Sequence, residues 1–140
     1  MKKLALILCL LSAPAWSQAL NPDVTQATIG ATICVPGWTA TVRPPVSYTN
    51  ALKRKLLRLA GIPLSHGSEY ELDHVVPLAN GGAPRDPKNL RLQAWAGADG
   101  AKAKDVVERK MQLAVCAGQV TLAESRACMA SNFRQCRVRR

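Results

Sequence analysis

The chain has 140 residues, with 19 Lys and Arg against 9 Asp and Glu, a formal net charge of +10 and 48% hydrophobic residues. That length suits one small domain. A positive balance of this size favours polyanionic partners, nucleic acid or an anionic membrane surface, and no stretch is long and apolar enough to suggest a membrane span.

The N-terminus reads as a secretory signal peptide over residues 1–19. Lys2 and Lys3 supply the positive start, Leu4–Leu11 the short apolar run, and the small residues up to Ala19 a cleavage region. Leu8 precedes Cys9 where a lipid-anchoring pattern would place a small residue. Removing this leader takes Lys2 and Lys3 with it and leaves a net charge of about +8. An exported chain, periplasmic or extracellular, meets an oxidising compartment. Four cysteines then remain, Cys34, Cys116, Cys128 and Cys136, and four cysteines allow three pairings. Their spacing contains no C-x-x-C, which argues against a structural zinc site.

Residues 20–46 are expected to form an extended N-terminal segment. Residues 20–33 are polar and mixed, and the prolines Pro36, Pro44 and Pro45 hold the following stretch away from helix. The main domain is read over residues 47–133. A helix begins near Ser47, capped by Ser47 or Thr49, carries Leu52, Leu56, Leu57 and Leu59 at helical spacing, and ends at Gly61 and Pro63. The run Tyr70–Leu78 reads as a strand, residues 79–88 as an irregular Gly- and Pro-rich loop, and Asn89–Gln93 as a second strand. Ala101–Ala117 reads as a helix with Val107, Met111, Ala114 and Val115 on one face and an Asp105–Arg109 pair at i+4. Thr121 and Glu124 make a capping box for a last short helix. A basic tail, 134–140, closes the chain. There are no repeats or low-complexity tracts.

The chain has two histidines. His66 lies in a loop and is read as exposed. His74 follows Asp73 at the end of the first predicted strand, and Asn89 opens the second. The stretch Tyr70–Leu90, "YELDHVVPLANGGAPRDPKNL", followed by "GAKAKDVVE", resembles the HNH endonuclease family. The upstream "ICVPGWTATVRPPVSYTNALKR" resembles small secreted bacterial members of it. The likeness runs from about Cys34 to the final helix.

That resemblance implies an α+β fold with a small ββα-metal core, flanking helices and disulfide staples. It also implies hydrolysis of nucleic-acid phosphodiester bonds, DNA before RNA, with a divalent metal ion as cofactor: Mg²⁺ first, Mn²⁺, Ni²⁺ or Zn²⁺ as alternatives. Such hydrolysis needs an activated water, a sink for developing negative charge and help for the departing oxygen. His74 would be the general base and Asp73 a hard oxygen ligand to the metal. Asn89 would constrain the loop and orient His74 through its side-chain amide.

One position departs from the family pattern. The helix-start residue that completes the metal site is usually His, sometimes Asn, and here the best-aligned residue is Lys102, which has no lone pair to offer a metal. Three arrangements are open: Asp99 substitutes as a ligand, the metal is held by Asp73, water and substrate phosphate, or Lys102 replaces the metal's charge and leaves a weak or inactive nucleic-acid-binding protein on the same scaffold. Lys102 and Lys104, at a helix start where they oppose the dipole, are assigned to phosphate contact. So are Arg85, Lys88 and Arg91 beside the motif, and Lys53 and Arg54 on the preceding helix. The resemblance also pairs Cys34 with Cys116, which leaves Cys128 with Cys136. The oligomeric state is not legible in the sequence.

Overall fold

The structure, a computed structural model, describes residues 19–138. The predicted signal peptide lies outside the described residues except for Ala19, as do Arg139 and Arg140 of the basic tail. After a short 3-10 turn at Ile29–Ala31 come helices α1 (Trp38–Val42) and α2 (Val46–Leu59). Strands β1 (Tyr70–His74) and β2 (Leu90–Ala94) follow, then helices α3 (Ala101–Cys116) and α4 (Leu122–Ser131). The architecture is a small α+β fold with a two-stranded antiparallel sheet and two disulfides, Cys34–Cys116 and Cys128–Cys136. Among the described residues no helix is long and apolar enough to cross a membrane.

The extended Arg43-Pro44-Pro45 stretch delivers the chain into α2. Pro45, not Ser47 or Thr49, occupies the cap position, and no side chain caps the helix. The helix ends where Gly61 takes a left-handed φ of 68°. It packs on both strands, and Leu57 is its buried contact.

The strands pair in the register Tyr70↔Ala94, Leu72↔Leu92 and His74↔Leu90. The loop joining them is unlike most loops, because it is largely buried: Val76, Leu78, Asn80 and Asn89 are among the least exposed residues. Its glycines explain how the backbone packs so closely. Gly81 adopts a φ of 79°, and a Cβ on Gly82 would strike the Val76 carbonyl oxygen. Residues 19–21 run against this loop, with an isolated bridge between Leu20 and Gly82. From the other side Arg126 of α4 donates to the Asn80 and Gly81 carbonyls.

The segment 20–46 departs from the extended chain expected for it. Val24 and Ile33, 2% and 1% exposed, form a core cluster with Val115 of α3 and Leu122 of α4. Residues 38–42 are helical. A second cluster joins Met111, Met129, Phe133 and Cys136, so Cys136, inside the expected tail, is buried while Arg134 and Gln135 beside it are exposed. The capping box at Thr121 and Glu124 forms as its sequence signature indicates.

Candidate functional site

His74 is the last residue of β1, and it lines a cavity of about 320 Å³ together with Asp73, Glu71, Arg43, Asp105, Glu108 and Arg109. Its Nε2 lies 3.0 Å from the Pro84 carbonyl oxygen. A carbonyl only accepts, so Nε2 carries the proton and Nδ1 is the acceptor of the neutral ring. Burial holds the His74 pKa below its ordinary value, against the opposing pull of the Pro84 hydrogen bond and Asp73. The imidazole is therefore neutral at pH 7.

Asn89 fixes the loop beneath this ring. Its Oδ1 accepts from the Val76 N–H at 2.8 Å, and its Nδ2 donates to the Val76 carbonyl at 3.0 Å and the Ala83 carbonyl at 2.9 Å. The expected direct orientation of His74 by the Asn89 amide is replaced by an indirect one. Asn89 pins Ala83, and the neighbouring Pro84 carbonyl takes the histidine.

The charge on Asp73 is met by Lys104. The lysine projects inward from the first turn of α3 and is 0% exposed, and its Nζ donates at 2.6 Å both to Asp73 Oδ2 and to the His74 carbonyl. This corrects two expectations. Lys104 cannot contact nucleic-acid phosphate, since it is wholly enclosed. The lysine that answers Asp73 is Lys104, whereas Lys102 is exposed and does not line the cavity. A sequence signal for this existed: Lys104 stands seven residues before Met111, on the buried face of the helix.

Asp99 does not join Asp73 either. Its side chain is 78% exposed and lies 3.4 Å from Arg134 Nη1. Among the described residues no group of three or more His, Cys, Asp or Glu is arranged to hold a metal ion. With an ammonium already on Asp73, the donor set does not fit a divalent cation there.

The remaining expected contacts lie elsewhere on the surface. Arg85 is exposed and stacks over the Tyr48 ring, 5.9 Å from its centroid. Lys88 is exposed, and Arg91 is exposed and donates to Gln93. Lys53 and Arg54 line a separate hollow against the 3-10 turn before β1. None of these basic residues lines the cavity that contains His74.

Arg43, Glu71, Glu108 and Arg109 do line it, and sequence reasoning passed over their role. Glu71 was legible as a same-face neighbour of Asp73, two residues along the strand. Glu108 was legible at i+4 from Lys104. The Asp105–Arg109 pair expected on α3 is replaced by an Arg109 hydrogen bond to Gln112.

Burial, followed by the charge of Asp73 and Asp105, raises the Glu71 pKa. Burial raises the Glu108 pKa to about 7, and the nearby Lys104 charge partly opposes the rise. The folded state thus binds a proton on Glu108 more tightly than the unfolded chain does. The resulting stabilisation is complete below the ordinary value of 4.5 and is lost as pH rises towards about 7. Glu108→Gln is therefore expected to stabilise the protein above pH 7, on the order of 1–3 kcal/mol, and to leave it nearly unchanged in acid. Thermal unfolding followed across pH checks this, and a deficit that does not vary with pH would contradict it.

Comparison with protein-family models, curated proteins and solved structures returns no match.

Proposed function

We propose that the chain is an exported hydrolase of nucleic-acid phosphodiester bonds, built on an HNH-type strand–loop–strand–helix module of the ββα class. The observation that carries this reading is the state of His74. It is a neutral imidazole, fixed at Nε2 by a backbone carbonyl, with Nδ1 as its remaining acceptor and a solvent-accessible cavity beside it. That is what a general base for water requires near neutral pH.

The other groups in the cavity supply the rest of a displacement at phosphorus. Arg43 and Arg109 are cations suited to the non-bridging phosphate oxygens. A water attacks phosphorus and gives its proton to His74 Nδ1. The bond to the 3′ oxygen breaks, and the departing oxygen takes a proton from Glu108, which is about half protonated near pH 7. One group pushed down and one pushed up in a shared cavity is the usual physical basis for a base and acid division. The excess of basic residues elsewhere on the chain would hold the polyanion by contacts that do not read its sequence.

A second reading, a nucleic-acid-binding protein without hydrolysis, is favoured by one specific observation. Lys104 is entirely enclosed, so its charge cannot touch a reacting phosphate. Incubating the purified mature protein with supercoiled plasmid and with structured RNA separates the two. Nicking that Glu108→Gln weakens supports the hydrolase. Retarded migration of intact nucleic acid supports the binder. Neither cutting nor retardation at low salt would remove both.

A further inference from the structure

We infer that Lys104 is a built-in cation, occupying the position a divalent metal ion would otherwise take, and that this site is metal-independent. The placement rests on reading the Asp73–His74 module as HNH-type, but the chemistry of the position is visible without that reading.

Three features point the same way. First, the two oxygens that Nζ contacts are a carboxylate and a backbone carbonyl, at 2.6 Å each. Those are the ligand types a hard divalent cation selects. Second, the lysine is 0% exposed. An enclosed ammonium is costly unless its partners are fixed, so it depends on the Asp73 side chain and the His74 backbone being held in place. Third, Glu71, Asp105 and Glu108 surround the same cavity, and the Lys104 charge lowers the proton affinity of both Glu71 and Glu108. Arg43 and Arg109 also line that cavity, but Lys104 is the cation bonded directly to Asp73 from within the fold, and it is a permanent one.

Lys104 is on this account a positioning residue. It touches no substrate. It fixes the end of β1, and with it the backbone of His74, in the way a bound ion would fix its ligands, and it does so at any metal concentration. A lysine differs from an ion in one respect that matters functionally: it cannot leave, so a chelator cannot switch the site off.

The test reads structure and not turnover, so its failure is distinguishable from a failure of the hydrolase reading. Thermal unfolding of the purified mature protein is followed in EDTA and in excess Mg²⁺, Mn²⁺, Ni²⁺ or Zn²⁺. A parallel Mn²⁺ titration is followed by paramagnetic broadening of backbone amide signals. The expected result is one unfolding temperature in all conditions and no selective broadening at Asp73 and His74. A divalent ion that raises the wild-type unfolding temperature and broadens those two amides would overturn the inference. Lys104→Asn supplies a metal-compatible oxygen in place of the ammonium. If folded, it should gain a rise in unfolding temperature with a divalent ion that wild type lacks. A folded variant indifferent to every ion would also overturn it. Should that variant fail to fold, the wild-type titration alone decides.

Discussion

Lys104→Met is expected to destabilise the protein by about 3–5 kcal/mol, the largest loss of any single substitution at the site. The apolar chain fills much of the same space, so the loss is electrostatic. Asp73, itself only 8% exposed, is left as a buried carboxylate without its ammonium, and the His74 carbonyl loses a donor. The companion variant Asp73→Leu/Lys104→Met removes both charges and should recover most of that loss, because a buried pair contributes far less net stability than breaking it removes. Chemical denaturation of wild type, both single variants and the double variant forms a complete cycle. Single losses that simply add in the double variant would show that the two side chains do not depend on each other.

His74→Ala is expected to lower the rate of phosphodiester hydrolysis by about 10²–10⁴-fold while leaving nucleic-acid affinity close to wild type. The substituted methyl cannot take a proton from water, whereas Arg43 and Arg109 still line the cavity. The pH profile gives a second, independent signature. Protonation removes the base, and burial places the His74 pKa below 6.5. Wild-type activity should therefore persist into mildly acidic solution and fall only as pH drops through that lowered value. In His74→Ala this acid limb disappears, and whatever rate remains should be flat there. Rates measured across pH on a fixed duplex, with affinity measured separately, distinguish a lost base from a lost binding surface.

Much of this site could be read from the chain. The second strand was placed to within a residue at each end, Asn89–Gln93 against Leu90–Ala94, while the first was read on to Leu78 and in fact stops at His74, where the buried loop begins. The spacing of Met111, Ala114 and Val115 gave the buried face of α3. The resemblance to secreted HNH proteins paired the cysteines as the structure pairs them. Asn89 was rightly taken as the loop's constraint, though it works through Val76 and Ala83 and not on the histidine itself.

What could not be read shares a physical reason. Val24 and Ile33 sit nine residues apart with no period between them, and they are buried only because α3 and α4 cover them. The partner of Lys104 is likewise non-local: its spacing to Met111 marks the buried face of α3, but nothing nearby along the chain points to Asp73. "KAKD" has the charge pattern of a solvated helix start, and only the Asp73 carboxylate, 31 residues earlier, draws one of those lysines inward. Arg43 reaches the cavity from a proline-rich stretch whose local sequence describes backbone shape and nothing about its destination. Periodicity and turn chemistry report on neighbours along the chain. A charge that crosses the fold is fixed by its partner, and here that partner decides the chemistry of the site.

The most direct test of the account is the relaxation of supercoiled plasmid in excess EDTA, wild type against His74→Ala. The account predicts nicked circles from wild type with the chelator present and none above background from the variant. Equal nicking by both proteins, or no nicking by wild type under these conditions, would contradict it.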